Sequence, residues 1–364
     1  MPQKSTVLIF TTAYRPFIGG SEIAIEEIVR RLPNVFFDIL TPRKHLSLPR
    51  MERFENGCIH RLGLGLPIDK FLFPILGWFV SLRLRPALIH AYQASHAAGA
   101  AWLYKWTHPK TPFILTIQEG KNLKRQFFLI RFFRKLIVLR ADRVTAISRY
   151  LAEYVRELRP NVPVTIIPNG VDVQRFAANL PDQKNIDVIT VSRLVAKNGI
   201  MDLVEAISIL KQAGHSMRTL IIGDGPMKSQ IRRRISQLGL ENEVILAGEV
   251  SNQELPQQLV QAKIFVRPSH SEGLGISFLE AMAGGLPIIG TPVGGIHDFL
   301  HDKETGLMCR VGDPSDLAEK IKMLLADESL RERLAAAGRD LARTRYDWRM
   351  IASQMGAIYH EYGI

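Results

Sequence analysis

Both halves of the chain alternate short β-rich runs with helical stretches, and this alternation restricts the folds that the chain can adopt. Strands separated by helices pair into parallel sheets, because each helix returns the chain to the same edge of the sheet. The predicted strands cover residues 6–10, 36–41, 87–91, 113–117 and 143–146 in the first half, and residues 187–191, 219–223, 244–247, 264–267 and 287–290 in the second. The pattern predicts an α/β fold with a parallel sheet in each half.

Residues 168–181, PNGVDVQRFAANLP, separate the two halves. They show no clear period and are bracketed by prolines, so we interpret them as a linker. A chain of 364 residues is long for one core and suits two domains. We therefore predict two Rossmann-like domains that face a central cleft, with an N-terminal domain at residues 1–178 and a C-terminal domain at residues 179–346.

The composition indicates an ordinary globular protein, with 46% hydrophobic and 23% charged residues. Cys58 and Cys309 lie far apart and lack metal-ligand spacing, which favours a reduced, cytoplasmic setting. The N-terminus lacks the apolar region and cleavage site of a signal peptide. The longest apolar run, residues 71–82, is shorter than the about 20 residues of a membrane span. We predict that it forms a core or interfacial helix interrupted by Pro74.

The net charge of +12 favours nucleic acid, anionic lipid or a phosphorylated substrate as a partner. We find no recognisable nucleic-acid module and expect no nucleic-acid partner. Residues 122–140, NLKRQFFLIRFFRKLIVLR, mix bulky apolar side chains with six cations. This stretch is either an amphipathic helix that lies on an anionic membrane surface or a core helix with a solvated basic face. The first interpretation predicts peripheral contact with the inner face of the membrane.

The most informative motif is PSHSEGLGISFLEAMAGGLP at residues 268–287. A buried strand is predicted before it and a helix from residue 276, so its glycines lie in a strand-to-helix loop. The backbone amides of Gly275, Ile276 and Ser277 are then free at the helix start. Free amides and the positive end of the helix dipole form an anion site.

Two carboxylates flank this predicted anion site. Glu272 precedes it, and Glu280 lies about two turns into the helix. A pyrophosphate on the amides, with hydroxyl-bearing groups on either side, satisfies this arrangement. The motif therefore predicts a site for a nucleotide sugar. The alternative is a helix with one exposed and one N-terminal glutamate and no ligand.

The full motif resembles the donor-binding signature of retaining glycosyltransferases with the GT-B fold, above all family 4. The resemblance implies that Glu272 contacts the donor sugar, that Glu280 contacts the ribose hydroxyls, and that Gly273 and Leu274 belong to the donor site. It also implies that the C-terminal helix, residues 347–364, packs back on the N-terminal domain.

Arg193 is predicted to end a strand in VSRLVAKNG, where a cation could neutralise a leaving diphosphate. The family often reads R-L-x-x-x-K-G here, and the resemblance implies that both cations bind the pyrophosphate. In this chain Asn198 occupies the lysine position and Lys197 comes one residue earlier. Either Lys197 reaches the phosphate from a shifted turn, or Arg193 acts with weaker help.

Further glycines match other loops of the family. Gly19 and Gly20 precede a helix whose predicted N-cap is Ser21, and the resemblance implies that this loop reaches the donor phosphate or the acceptor. Gly223, in IIGDGPM, closes a strand beside the nucleotide pocket. Gly248, in AGEV, lies where family members hold the base through backbone groups.

The motif TIQEG places Gln118 where family members often have a histidine that faces the donor sugar. Gln118 can form hydrogen bonds but cannot carry a proton at neutral pH, so Glu119 is the alternative polar group. His90 and His96 are close in sequence. One of them either lines the acceptor side or forms a structural hydrogen bond.

The sequence therefore predicts a retaining hexosyltransferase that uses a UDP- or GDP-sugar. Its acceptor would be the hydroxyl of a sugar or lipid-linked molecule, in the synthesis of cell-surface polysaccharide, lipopolysaccharide or glycolipid. No Asp-x-Asp motif is present, so we expect no metal and no other cofactor. The alternatives are another GT-B protein, such as a sugar-nucleotide epimerase or a phosphorylase, and a non-catalytic scaffold that binds sugar nucleotides.

Overall fold

The computed structural model describes residues 6–17, 19–66, 68–119, 126–177 and 184–364. The chain forms two compact units, one made of Met1–Asn169 with Trp348–Ile364 and the other of Gly170–Asp347. The predicted domain boundary at residues 178/179 lies outside the described residues, as do residues 122–125 of the predicted basic helix.

The first unit contains an eight-stranded sheet in the order β3-β4-β2-β1-β5-β6-β7-β8. Only β3 and β4 pair in antiparallel orientation, and the other neighbours are parallel. The strands are β1 (Thr6–Phe10), β2 (Phe36–Pro42), β3 (Met51–Phe54), β4 (Gly57–Leu62), β5 (Leu88–Tyr92), β6 (Phe113–Ile117), β7 (Arg143–Ala146) and β8 (Val164–Ile166). The central strands are buried along their whole length, as expected for a parallel sheet covered on both faces.

Within the described ranges, six helices belong to this unit. They are α1 (Gly20–Arg31), α2 (Asp69–Leu84), α3 (His96–Thr107), α4 (Phe128–Arg140), α5 (Arg149–Leu158) and the last helix of the chain, α13 (Trp348–Glu361). Helix α13 adds Trp348, Met355 and Tyr359 to the same apolar core as α1 and the central strands. It therefore completes one face of this sheet although it follows the second unit in sequence.

His90, on β5, forms a structural hydrogen bond. Its Nδ1 lies 2.7 Å from the Tyr359 hydroxyl and its Nε2 lies 2.6 Å from Thr116 Oγ1. The ring is fully buried, and burial lowers the pKa of His90 to about 3. His96 begins α3, where burial, with Lys44 and Lys70 nearby, lowers its pKa to about 4. Both imidazoles are therefore neutral at physiological pH, and His90 serves the contact between β5 and α13.

The second unit contains a six-stranded parallel sheet in the order β11-β10-β9-β12-β13-β14. Its strands are β9 (Ile186–Val191), β10 (Thr219–Ile222), β11 (Val244–Gly248), β12 (Ala262–Arg267), β13 (Ile288–Gly290) and β14 (Leu307–Met308). Its helices are α6 (Val173–Phe176), α7 (Ile200–Gln212), α8 (Lys228–Gln237), α9 (Leu255–Val260), α10 (Ile276–Ala283), α11 (Pro314–Ala326) and α12 (Glu328–Arg345). The two parallel sheets confirm the predicted α/β class with two Rossmann-like domains.

The order of the second sheet reverses at β9. From β9 the chain moves outward through β10 to β11, and it then returns to pair β12 against the other side of β9. Ligands of open α/β sheets bind beyond the carboxyl ends of the strands at such a switch point. The loops that follow β9 and β12 therefore occupy the position where a ligand is expected.

The structure corrects three local predictions. Helix α2 continues through Pro74, its sixth residue, although a proline at an interior position removes a backbone hydrogen bond. Helix α1 has Gly19 as its N-cap, while Ser21 is buried in the first turn and donates to the Glu22 carboxylate. The segment interpreted as a linker contains α6, which begins after an N-cap bond from Arg175 N–H to Asp172.

No helix in the described ranges combines the length and the apolar character that crossing a bilayer requires. Cys58 and Cys309 are both free thiols.

Candidate functional site

The candidate site lies at the carboxyl ends of β9 and β12, which are paired neighbours. The loop after β9 carries Arg193 and Lys197, and the loop after β12 carries Glu272. Gly199 has a left-handed backbone, and a Cβ atom there would lie 1.8 Å from the carbonyl oxygen of Pro268. The two loops therefore pack in direct contact, and only glycine fits between them.

The loop between β12 and α10 ends in an anion-binding geometry. Gly275 is the N-cap of α10 and has a φ of 94°, which favours glycine. Across the described part of the chain, the N–H groups of Gly275, Ile276 and Ser277 have no protein acceptor. Three amides at the start of a helix, together with its dipole, suit the binding of a phosphate oxygen.

The Glu272 carboxylate is held beside this helix start by three groups. Its Oε1 accepts from the N–H of Gly273 at 3.0 Å, and its Oε2 accepts from Arg267 Nη2 at 2.5 Å. Lys197 Nζ lies 3.8 Å from the same Oε2. The structure thus brings Glu272, Gly273 and Lys197 together, and the role of Lys197 toward a phosphate stays a prediction.

The loop after β13 also contacts Glu272. Gly294 has a φ of 55°, and a Cβ atom there would lie 1.9 Å from the carbonyl oxygen of Glu272. The N–H of Gly295 donates to that carbonyl oxygen at 3.3 Å. The loop after β13 therefore fixes the backbone of Glu272 at the carboxyl edge of the sheet.

Arg267, the last residue of β12, is a site residue that the sequence analysis did not single out. Its Nη1 donates to Ser277 Oγ at 2.9 Å, and its Nη2 donates to Asn198 Oδ1 at 3.1 Å as well as to Glu272. The side chain is only 9% exposed. An arginine directly after the apolar run of residues 264–266 was the available signal, because buried arginines are rare unless they are paired.

Asn198 is an internal connector rather than a ligand group. Its side chain is buried, and its Nδ2 donates to the carbonyl oxygen of Arg193 at 2.7 Å while its Oδ1 accepts from Arg267. Strand β9 ends at Val191, two residues before Arg193. Arg193 therefore lies in the loop after the strand and not at its last position, where the sequence predicted it. Arg193 itself is exposed, and only its backbone carbonyl takes part in these bonds.

Glu280 lies on the second turn of α10 and is half-buried. Burial raises its pKa from 4.5 to about 7, against the opposing influence of the Arg175 and Arg267 cations. Arg175 comes from α6, the short helix within the segment predicted as a linker. The sequence analysis therefore missed a second cation that acts on a predicted site residue.

Gly223 and Gly248 lie at the ends of β10 and β11 and are joined by a 2.7 Å backbone hydrogen bond. Both have positive φ values, and a Cβ atom at Gly223 would lie 1.9 Å from the carbonyl oxygen of Ser192. Gly223 thus permits close approach to the loop that carries Arg193. The predicted contacts of Gly248 with a base and of Leu274 with the donor remain predictions.

The predicted residues of the first unit form a separate group. Gln118 is buried and accepts from Asn169 Nδ2 at 3.3 Å. The Glu119 carboxylate accepts from the N–H groups of Ala94 and Gln118 at 2.9 and 3.0 Å, and Arg134 Nε lies 3.8 Å away. Burial raises the pKa of Glu119. These bonds indicate that Glu119 holds its loop in place.

Gly19 and Gly20 begin α1 in this unit. Gly19 has an extended backbone, and a Cβ atom there would lie 2.5 Å from the Glu22 carboxylate. The absence of a side chain therefore leaves space for this acid at the helix start. The predicted role of the two glycines toward a phosphate or an acceptor stays a prediction.

Among the described residues, one group of metal-type ligands occurs, and it lies outside the candidate site. Asp38, Cys58 and His60 place their ligand atoms within 4.8 Å of one another on β2 and β4. His60 Nε2 and Asp38 Oδ1 are 2.7 Å apart and form a hydrogen bond with each other. Burial raises the pKa of the Cys58 thiol and so disfavours the thiolate that a metal requires.

Comparison with known proteins identifies the family of the chain. Residues 172–341 match the model of Glycosyl transferases group 1, and residues 19–170 match the model of the Glycosyl transferase 4-like domain. A similar protein is N-acetyl-alpha-D-glucosaminyl L-malate synthase of Bacillus anthracis, which is 29% identical over 369 residues, with 95% of each chain covered.

Two solved structures share the fold over the whole chain. Sucrose-phosphate synthase from Thermosynechococcus elongatus aligns with a TM-score of 0.85 at 21% identity and covers 99% of both chains. Anabaena HepE, solved in complex with UDP and glucose, aligns with a TM-score of 0.81 at 18% identity over 98% of this chain and 100% of its own. The fold is therefore GT-B. Together with the motifs at Arg193 and Glu272, these matches establish that the chain belongs to the group 1 glycosyltransferases.

Proposed function

We propose that the protein transfers a hexosyl group, with retention of configuration, from a nucleoside diphosphate sugar to an acceptor hydroxyl. The observation that carries this proposal is the Glu272 carboxylate, held by Arg267 and Lys197 beside the amides of Gly275, Ile276 and Ser277. This arrangement provides donors for an anion and an acceptor for hydroxyl groups within one short loop and helix start.

The diphosphate of the donor would bind the amides at the start of α10, with Arg193 and Lys197 as its cations. Charge grows on the leaving diphosphate as the bond to the sugar breaks. Fixed amides and cations therefore stabilise the transition state more than the ground state. Because protein cations would meet this charge, the proposed reaction does not require a metal. Lys197 Nζ lies 3.8 Å from Glu272 Oε2. This position supports the interpretation that Lys197 reaches the phosphate from a shifted turn.

Glu272 would orient the sugar, and Glu280 would accept hydrogen bonds from the ribose hydroxyls. No carboxylate is assigned as a nucleophile, so we propose a same-face mechanism in which the departing phosphate oxygen takes the proton of the acceptor hydroxyl. The bond between the anomeric carbon and the diphosphate oxygen breaks on the same face on which the acceptor oxygen bonds to that carbon, so the diphosphate leaves with the acceptor proton and the configuration is retained.

We further propose that the first unit rests on an anionic membrane surface. Helix α4 exposes Phe128, Phe132 and Phe133 together with Arg131 and Lys135. A helix that presents bulky apolar groups and cations on one exposed side suits the boundary between headgroups and acyl chains. A lipid-linked acceptor in cell-surface polysaccharide or glycolipid synthesis is consistent with such an enzyme at the cytoplasmic face.

A second helix of the same unit also exposes apolar side chains. Helix α2 exposes Phe71, Ile75 and Phe79, and both α2 and α4 pack on α3. Arg134, one of the six cations in the sequence pattern, is instead buried beside Glu119 and donates to Gln126. Arg134 therefore belongs to the interior of the unit, and the membrane proposal rests on Arg131 and Lys135.

We expect that a nucleoside diphosphate stabilises the protein without added metal. The binding groups are amides and protein cations, so magnesium should make little difference. At a hundredfold excess over its dissociation constant, the ligand should add about 2.7 kcal/mol to the free energy of unfolding. Thermal unfolding with UDP, GDP and ADP, each with magnesium or with EDTA, measures this. A melting temperature that none of the three nucleotides raises would rule out the donor site.

We expect Arg193→Ala to lower kcat by about a hundredfold or more, because it removes a cation that stabilises the transition state. The exposed position of this side chain predicts a normal melting temperature. Glu272→Gln should also lose most activity. Both Glu272→Gln and Glu272→Ala remove the counter-charge of the buried Arg267, and Glu272→Ala should destabilise the fold more because it also removes the hydrogen-bond acceptor.

The assay for these variants is release of nucleoside diphosphate from the donor, with and without acceptor, and Arg232→Ala on the exposed surface of α8 is the control. An enzyme of this class hydrolyses its donor slowly without acceptor, whereas a binding scaffold releases no diphosphate and an epimerase changes the sugar without freeing it. Wild-type turnover in Arg193→Ala would remove that residue from the site.

We expect the affinity for a nucleoside diphosphate to fall as the pH drops through about 7, the pKa of Glu280. Ribose hydroxyls bind the carboxylate, so protonation competes with the ligand by up to about tenfold per pH unit. The same raised pKa makes the free protein lose stability as pH rises from 4.5 to about 7. Calorimetry of wild type and Glu280→Gln separates this effect from titration of the ligand phosphate. An identical pH profile in both proteins would contradict the ribose role.

We expect salt-sensitive binding to vesicles that contain phosphatidylserine and weak binding to neutral phosphatidylcholine vesicles. Each cation near an anionic surface contributes about 1 kcal/mol. Arg131→Ser with Lys135→Ser should reduce co-sedimentation at low salt, and Phe132→Ser with Phe133→Ser should reduce it at low and high salt. Arg232→Ser with Arg233→Ser on α8 is the matched control. Absence of binding at low salt would leave α4 as a helix with a solvated basic face.

A further inference from the structure

The most unusual feature of the site is the pair Arg267 and Asn198. Asn198 stands at the position where the family often has a lysine, and its amide carries no charge. Arg267, from the adjacent strand, donates directly to the Asn198 side chain at 3.1 Å. The cation absent at residue 198 is therefore present at residue 267, on the other side of the same contact.

We infer that Arg267 is a positioning residue whose charge lies where a lysine at residue 198 would place its own, and that Arg267 and Asn198 function only as a matched pair. This inference deepens the proposed function, on which it rests. It assigns to Arg267 the task of holding the Glu272 carboxylate and the first turn of α10 in the geometry that receives the donor.

One guanidinium joins three separate parts of the site. Through Nη2 it fixes Glu272 in the loop after β12, and through Nη1 it fixes Ser277 on the first turn of α10. Through Asn198 it reaches the loop after β9, because the Asn198 amide donates to the carbonyl oxygen of Arg193. An arginine suits this task because its planar group offers donors in several fixed directions, whereas a lysine ammonium is a single point of charge.

Charge and burial explain why the two positions depend on each other. A lysine at residue 198 would place a second cation beside the buried Arg267 and would remove the oxygen that accepts its hydrogen bond. Loss of Arg267 alone would leave Glu272 with Lys197 as its remaining cation, at 3.8 Å. Either change alone is therefore harmful. Both together would again place one cation between the loops.

The Asn198–Arg267 contact leads to a different prediction from the motif for the variant Asn198→Lys. Asn198→Lys restores the commoner family sequence, so a reading of the sequence alone predicts that it is tolerated. The structure predicts the opposite in the wild-type background. It predicts tolerance only when residue 267 is neutral.

A double-mutant cycle tests the inference with Asn198→Lys, Arg267→Met and the protein that carries both changes. We measure melting temperatures without ligand, affinity for UDP and GDP by calorimetry, and kcat for donor hydrolysis well below the lowest melting temperature. We expect each single variant to lose melting temperature and kcat. The double variant should regain about tenfold or more in kcat over Arg267→Met, because the two sites are in direct contact.

Arg267→Lys is the conservative control. It keeps the charge but cannot form hydrogen bonds with Ser277, Asn198 and Glu272 at once. We therefore expect its kcat to stay as low as that of Arg267→Met. A merely structural Arg267 would lower the melting temperature and leave kcat unchanged in folded protein. That result, or losses that simply add in the double variant, would overturn the inference.

The unliganded arm of the cycle separates this inference from the proposed function. If wild type binds neither UDP nor GDP, the donor proposal fails, and coupling in melting temperature still decides whether residues 198 and 267 form a matched pair. If wild type binds and turns over but the double variant shows no recovery, the proposed function stands and the inference about Arg267 fails.

Discussion

The ion pair between Arg267 and Glu272 is the interaction on which the candidate site depends. Both side chains are nearly buried, and a buried pair is stable only when its remaining donors and acceptors are satisfied. Asn198, Ser277 and the N–H of Gly273 meet most of that requirement, while Arg267 Nε has no partner among the described residues. The residues that form hydrogen bonds with the pair belong to the loops that would hold a nucleotide sugar. The stability of the pair therefore depends on the same contacts as the geometry of the site.

The sheet topology explains why these residues meet although up to 79 positions separate Asn198 from Ser277 in the chain. Strands β9 and β12 are neighbours because the sheet reverses its order at β9, and their carboxyl ends deliver both loops to one place. Glycines then allow the loops to approach, since a side chain at Gly199 or Gly294 would collide with backbone carbonyl oxygens. The GT-B fold thus sets the positions of these loops, and a few residues on the loops carry the polar groups of the site.

Much of the fold was predictable from sequence because the central strands are largely buried and appear as short apolar runs, as at β1 and β6. Four strands were missed: the edge strands β3, β8 and β14, which are short and partly exposed, and β4, whose His60 and Arg61 interrupt the apolar pattern. Glu272 and Lys197 were predicted from a motif. Arg267 was not, because its partners come from distant loops, and the buried state of Asn198 and Arg134 likewise depends on tertiary contacts that no local pattern records.

The central claim is that the start of α10 binds the diphosphate of a sugar nucleotide. The most direct measurement is a crystal structure of the protein with the nucleoside diphosphate that raises its melting temperature most. The account predicts phosphate oxygens within hydrogen-bond distance of the amides of Gly275, Ile276 and Ser277, with Arg193 or Lys197 on the same group and Glu280 on the ribose. A nucleotide bound elsewhere, with these amides and Glu280 unoccupied, would contradict it.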